Sequence, residues 1–479
     1  MSTTTSTEQL NQDNLKRTIS TPAAVGVAFN QIVGGGIVSL TGVAIALTGG
    51  GVSIAFVLAV VSILIVSMPY AAIGSAMPAT GGVYTYSTRL IHPIAGYAAL
   101  VVNFLAQASL GLYGVAAGQY MHSLNEWFDP TLTAVVLIVA FYFANLMGAV
   151  IGARVGLVMS ALMLLGFGLF IVLGLGGVDW VAYPPMLPNG FSNLIQAAAL
   201  LTFATGGATV VVELGGEMKN PGRAVPISLI GGTVLAGIMY VFIAIVAAGI
   251  LPIEQVANQP LSLVAAEFLP PAAWAFFILG GAMMAVISTM NSQLLTGSKS
   301  LLAAIDDGWF PKRLGHVNKK FGTPHYLLTI LLVVGLAPVV ANVPLDVLAS
   351  AVSGIAQLIF VFVLIASLRL RSVRPDLHKA AIFKLPAGVH WGLALVGIGV
   401  CCYQSWLLIS SGVSTQMLIV LGCVAVVATV WGVIRYPHVR RVLRARDEAQ
   451  RAASGLHDLP SSRLSAHDVE RESIIDFEP

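Results

Sequence analysis

The sequence predicts an all-α polytopic membrane protein of about twelve transmembrane helices, arranged as two inverted repeats of five, with helices 1 and 6 discontinuous. Three observations predict it. First, the 479 residues are 57% hydrophobic and only 9% charged, with a mean hydropathy of +0.87, whereas a soluble domain carries about 25% charged residues. Second, the apolar runs are mostly long enough to cross a bilayer, which takes about 20 residues, and the basic residues fall on one side of them. Third, two of the runs are interrupted by glycines at matching places in the two halves, around Gly34-Gly35-Gly36 and Gly206-Gly207.

The spans, in order, are 22–48, 52–77, 93–121, 131–148, 155–177, 191–215, 225–251, 272–304, 325–342, 346–368, 387–410 and 415–434. With the N-terminus placed in the cytosol, all 24 Lys and Arg residues fall in inward segments, from Lys16 and Arg17 to Arg471. The outward loops carry Glu126, Asp129, Asp179, Glu254 and Glu267 and no basic residue. This is the positive-inside pattern, and adding or removing one span destroys it. Both termini are therefore expected in the cytosol. The net charge of +3 is a topology signal and implies no nucleic-acid partner.

The elements follow in order. Residues 1–18 are polar, with no basic stretch leading into a short apolar run, so no cleavable signal peptide is expected. Ser20-Thr21-Pro22 supplies a hydroxyl N-cap and a first-turn proline for span 1. Val83 to Pro93 reads as a short amphipathic segment along the inner face, and Asp306 to Pro324 as a comparable inner loop after span 8. Spans 3 and 8 are the longest. The broken spans (1 and 6) and the long spans (3 and 8) thus each recur five helices apart, an odd number, which inverts the second repeat. The repeats are about 22–177 and 191–368 within a core of 19–435. Helices 387–434 are peripheral, and 436–479 forms a polar cytosolic tail. Within that tail, Val439 to Ala453 reads as a basic helix at the inner membrane surface. Cys401, Cys402 and Cys423 lie within late apolar spans and read as packing residues.

Three motifs resemble the amino acid–polyamine–organocation (APC) superfamily of permeases. Span 6 reads Phe203-Ala204-Thr205-Gly206-Gly207, followed by Glu217-Met218-Lys219-Asn220-Pro221-Gly222-Arg223-Ala224-Val225-Pro226. Span 1 contains Ile32-Val33-Gly34-Gly35-Gly36-Ile37, similar to the family's Gly-x-Gly-Ile break. After span 8 come Asp307-Gly308, Phe310-Pro311 and Thr323-Pro324. The resemblance covers about residues 15–435. It implies a LeuT-type core of five plus five helices with two peripheral ones, and a permease rather than an enzyme.

Glycine weakens a helix by about 1 kcal/mol relative to alanine, and broken backbone at membrane depth is tolerated only where it lines an enclosed cavity. Interrupted segments in corresponding positions point to a transporter's binding site. A half-helix starting at Gly34 to Gly36 points bare N–H groups and a positive dipole end into the break, which suits an α-carboxylate. A half-helix ending near Phe203 and Ala204 offers carbonyls for an α-ammonium group. An amino acid satisfies both. Gln31, Ile32, Val33, Gly34, Gly35, Gly36, Tyr113, Phe203, Ala204, Thr205, Gly206, Gly207 and Ala208 are the expected substrate-binding residues. By resemblance, Phe203 is the aromatic that closes over the substrate. Gly114 and Gly118 read as helix-packing positions.

Two departures from the family pattern bear on substrate and coupling. Many relatives carry an acidic residue where this chain has Thr209, and a bulky one where it has Ala208. Without pocket carboxylates, a neutral amino acid is favoured over a polyamine or another organic amine. Some relatives place a lysine in helix 5 where this chain has Met163. The hydroxyls of Ser288 and Thr289 in span 8 instead resemble a sodium site, oxygen ligands being suited to a hard cation. Glu213, an acidic group in span 6, is the candidate for a proton. The expected coupling ion is Na+ or H+, with no cofactor. A channel needs a continuous polar lining or a charged ring, and a membrane enzyme needs a catalytic cluster; neither pattern is present. A sensor on the same fold is the remaining alternative. The reading is a secondary transporter, symporter or exchanger, in the plasma (inner) membrane.

Overall fold

The computed structural model describes residues 19–77, 81–148, 153–213, 218–318 and 321–454. Each predicted span falls on one or more helices. The N-terminal half contains α1 (Thr21–Ile32), α2 (Gly35–Thr48), α3 (Val52–Ala76), α4 (Gly82–Leu90), α5 (Pro93–Ala106), α6 (Ser109–Leu124), α7 (Pro130–Leu146) and α8 (Ala153–Leu175). It is followed by α9 (Gly190–Thr205), α10 (Val210–Glu213), α11 (Pro221–Gly249), α12 (Pro271–Phe276), α13 (Met284–Asp306), α14 (His325–Val340), α15 (Leu345–Val373), α16 (Ala387–Gly412) and α17 (Thr415–Ser454). Among the described residues, eight helical stretches are long and apolar enough to cross a bilayer, and α7 and α14 are shorter apolar helices. With this hydropathy, the architecture is that of an all-helical polytopic membrane protein.

Local chemistry sets the helix ends. The Ser20 hydroxyl accepts from the Ala23 N–H at 3.4 Å, with proline in the first turn of α1. Asp129 caps α7 by accepting from the Leu132 N–H at 2.7 Å. Span 1 breaks between α1 and α2, where the Gly34 N–H turns back to the Ile32 carbonyl at 2.7 Å. Span 6 breaks where α9 tightens into a 3-10 turn, Gly206–Thr209.

Two interruptions were not expected. Span 3 divides into α5 and α6 at Gln107 and Ala108, with the Leu110 N–H bonded to the Gln107 carbonyl at 3.0 Å. Span 8 carries a π-helical segment, Phe277–Met283, between α12 and α13. There Gly281 faces Gly166 of α8 so closely that a Cβ on Gly166 would lie 2.8 Å from the Gly281 Cα.

Two surface expectations are corrected. The segment after Gly81 is helical, but α4 is not an exposed surface segment. Tyr84, Tyr86, Ser87, Thr88 and Leu90 are buried, because α4 is wedged against α5, α13 and α15. The basic tail segment is no separate surface helix either. It continues the last span as one 40-residue helix, α17. Val439 and Leu443 are buried, and Arg446 Nη1 meets Asp307 Oδ1 at 2.6 Å. The other Asp307 oxygen accepts from the Tyr84 hydroxyl at 2.7 Å. Burial and the facing carboxylate hold the Tyr84 phenol well above its ordinary pKa, so it stays a donor. Aromatic stacking reinforces the contact. Tyr97 lies on Trp309 with centroids 4.4 Å apart, and Trp431 Nε1 donates to the Trp309 carbonyl at 3.0 Å.

The core sits where α1 and α2 run between α9 and α11. Tyr240 of α11 reaches across to donate to the Ile32 carbonyl at 2.5 Å, pinning the last residue of α1. Its ring packs against Phe56 of α3 at 5.3 Å.

Candidate functional site

The two breaks, far apart in sequence, lie directly on one another. A Cβ on Gly207 would sit 2.1 Å from the Gln31 carbonyl oxygen, and one on Gly36 would sit 2.8 Å from the Ala204 Cα. On their other flanks, a Cβ on Gly35 would enter the Tyr113 ring at 2.5 Å, and one on Gly34 would meet Thr289 Oγ1 at 2.1 Å. These glycines therefore interrupt their helices and also permit the approach of four neighbours. Gly114 and Gly118 do only the second, packing against Ile138 and the Pro130 carbonyl of α7.

A cavity of about 190 Å³ opens beside the breaks, with room for one small solute. Of the expected residues it is lined by Gln31, Ile32, Gly34, Gly36, Tyr113, Phe203, Ala204, Gly206 and Gly207. Val33, Gly35, Thr205 and Ala208 do not line it. Val33 and Ala208 are turned into the packed core. The Gly35 N–H is taken by Thr289 Oγ1 at 2.8 Å. The Thr205 hydroxyl folds back onto the Leu201 and Thr202 carbonyls at 3.3 and 3.1 Å. Thr209, which stands where many relatives are acidic, does line the cavity, and its hydroxyl donates to the Gly206 carbonyl at 3.0 Å. The Phe203 ring is half-buried and stacks on Tyr113 with centroids 6.4 Å apart and 14° between planes.

The polar ends of the broken helices are partly engaged. The Gly34 and Gly35 N–H groups already have acceptors, so an anion at α2 would meet the first-turn N–H groups of Gly36 and Ile37, which have no intrahelical partner. At the end of α9 the Phe203 carbonyl accepts from the Gly206 N–H. The 3-10 turn thus absorbs one of the carbonyls offered to an ammonium group.

Ser288 and Thr289 tie α13 to the first break. Thr289 Oγ1 accepts from Gly35 and donates to the Ala285 carbonyl at 2.9 Å. Ser288 Oγ accepts from Asn30 Nδ2 at 3.4 Å, while Asn30 Oδ1 is buried with no partner among the described residues. As arranged, these hydroxyls hold α13 to the first break, with the Gly35 N–H donating to the Thr289 oxygen. The Met163 side chain is fully buried on α8. The Glu213 side chain lies outside the described residues.

The cavity contains residues that the sequence reading passed over: Asn103 and Gln107 of span 3, Ser292 and Gln293 of span 8, and Phe360 of α15. A signal was present. Asn103 and Gln107 are amides one helical turn apart inside an apolar span. Ser288, Thr289, Ser292 and Gln293 form a polar stripe at helical spacing. Among the described residues, no cavity-lining residue is acidic or basic.

Comparison with known proteins agrees with this arrangement. A family model described as amino acid permease matches residues 19–436. A branched-chain amino acid permease of Bacillus subtilis is 29% identical, covering 78% of this chain and 85% of that protein. A methylthioribose transporter of the same organism is 26% identical, covering 79% and 86%. A serine/threonine exchanger of that organism is also 26% identical, covering 70% and 79%. With broken helices at a shared cavity, and a family match spanning nearly all of its apolar length, the chain belongs to the amino acid permease family, a family of multi-pass membrane transporters and not of enzymes.

Proposed function

We propose that this protein is a secondary active transporter that carries a neutral amino acid across the plasma membrane by alternating access. Its twelve spans form a five-plus-five inverted repeat, and both termini are cytosolic. The observation that carries the reading is the pair of interrupted helices stacked at one cavity, with no charged side chain among the described residues of its lining. A zwitterion brings both charges itself. Its carboxylate meets the Gly36 and Ile37 N–H groups at the positive end of α2, and its ammonium meets the remaining carbonyls at the end of α9. Phe203 and Tyr113 close over the bound molecule. A polyamine lacks the carboxylate and would find no acidic partner among the described lining residues.

Release requires the two broken helices to part from α13. The Gly35–Thr289 and Gln31–Ser292 hydrogen bonds, both at 2.8 Å, are the contacts that such a rocking motion breaks. A sodium ion would act at Ser288 and Thr289 once the Gly35 N–H has turned away, and a proton would act at Glu213.

The test is uptake by purified protein in proteoliposomes with labelled amino acids, with and without imposed sodium and proton gradients. Saturable uptake of neutral amino acids raised by one gradient is the expected result. A requirement for a cationic amine, or a pore-like flux without saturation, would overturn it. The branched-chain permease and the serine/threonine exchanger among the relatives are named for neutral amino acids, in keeping with this reading.

A further inference from the structure

Two amides that line the cavity have no hydrogen-bond partner among the described residues. Asn103 and Gln107 stand one turn apart at the C-terminal end of α5, both on the cavity. Among the described residues neither side chain hydrogen-bonds to another group. Gln107 is only 4% exposed, and its Oε1 is buried without a donor. Its carboxamide lies flat against Gly297 of α13, where a Cβ would be 3.0 Å from Cδ and Nε2, so α13 offers no side chain at that point.

The neighbouring amides share this bias. Gln31 Nε2 donates to Ser292 Oγ, and Gln293 Nε2 donates to Ser109 Oγ, each at 2.8 Å. One N–H of each amide is thereby taken by a neighbouring hydroxyl. The lining is therefore amide-rich and, among the described residues, uncharged, with the buried Gln107 Oε1 left as an acceptor without a donor. An unpaired buried acceptor carries a desolvation penalty that a donor removes and a hydrocarbon does not. A site built to hydrogen-bond a substrate group discriminates strongly against the analogue that lacks it.

We infer that Asn103 and Gln107 read the substrate's side chain, and that the substrates are neutral amino acids whose side chains carry a hydroxyl or a carboxamide, in preference to aliphatic ones of the same shape. This rests on the cavity being the amino acid site. Ile32, Phe203 and Phe360 hold the carbon skeleton, while the α5 amides select the group at its end.

Near-isosteric pairs give the test. Full-length protein in proteoliposomes is assayed for uptake of labelled threonine against valine, and of asparagine against leucine. Preference for threonine and asparagine by about tenfold or more is expected. Gln107→Met should reduce threonine and asparagine uptake more than valine and leucine uptake, narrowing or reversing the preference, with the same yield of folded protein. Asn103→Leu gives a second reading if the methionine variant does not fold. Valine and leucine carried as well as their polar partners would overturn the inference and leave the neutral amino acid reading intact. Equal loss of all four in Gln107→Met would assign the residue to structure and overturn the inference as well. Absence of uptake for every amino acid would remove the site reading together with the inference.

Discussion

Two Gly-Gly-Gly runs flank α2, and they do different work. Gly34 to Gly36 open the helix, and Gly49 to Gly51 end it in a 3-10 turn. At the outer run Gly49 has φ of 57°, a left-handed conformation that L side chains avoid. Cβ atoms on Gly50 and Gly51 would meet the Pro184 and Met186 carbonyl oxygens at 2.3 and 2.0 Å, so the run is a seat for the loop before α9. At the inner run no φ is positive. The neighbours there are Thr289, Tyr113 and Ala204, all on the cavity. A triple glycine therefore marks a place where backbone approaches closely. Its position within the span, and a second interrupted helix to face it, are what mark a site.

The largest effects should come from filling the space between the two breaks. Gly207→Ala puts a Cβ 2.1 Å from the Gln31 carbonyl, which is backbone and cannot swing aside. Uptake should fall to background in proteoliposomes. Gly36→Val removes the carboxylate site and on that ground alone should leave the fold untouched. The 2.8 Å approach to the Ala204 Cα alters that expectation: the valine must also push α9 away. Both transport and folded yield should drop, and size-exclusion chromatography beside uptake separates the two losses.

Gly51→Ala is the matching change at the outer run. Overpacking of this kind costs about 1–3 kcal/mol, so the melting temperature should fall, while the protein that remains folded keeps its apparent substrate affinity. A loss of uptake per folded protein as large as that in Gly207→Ala would erase the distinction between the runs.

Much of this was legible in the sequence because the relevant signals are one-dimensional. Hydropathy and charge placed every span on a helix. Paired glycines located the breaks, and the cavity formed beside them. What was not legible lies in the third dimension. The break at Gln107 and Ala108 has no glycine or proline to announce it. The π-helical segment answers to packing against α8. The polar face of α4 looked like a membrane-surface pattern, yet Tyr84 meets a buried carboxylate across 223 positions of sequence. Thr205 was a reasonable pocket residue by position, and only its bonds to its own helix take it out of the cavity.

Thr289→Ala should have a smaller effect than the glycine changes. It removes the acceptor for the Gly35 N–H and leaves the backbone in place. The loss of one such bond is worth about 1 kcal/mol, so uptake should fall several-fold and Thr289→Ser should restore it. Sodium dependence measured in the same variants decides the hydroxyl's second role. A response to sodium that disappears in alanine and returns in serine would assign it to a cation. A response that is the same in all three would leave Thr289 as a strut.

The smallest expected effect sharpens the comparison from the side of α11. Tyr240→Phe keeps the ring against Phe56 and deletes only the hydroxyl that donates to the Ile32 carbonyl. Because the partner is a carbonyl with a second lone pair that already accepts from the Gly34 N–H, it is not left wholly unsatisfied. The stability cost should therefore stay near about 1 kcal/mol, a small shift in melting temperature. Ile32 is nevertheless the last residue before the break, so a small loss there should loosen the end of α1 and raise the substrate concentration needed for half-maximal uptake. If the melting temperature falls and that concentration does not move, the end of α1 is held by packing alone, and the close approach of Gly207 to Gln31 is sufficient to define the site.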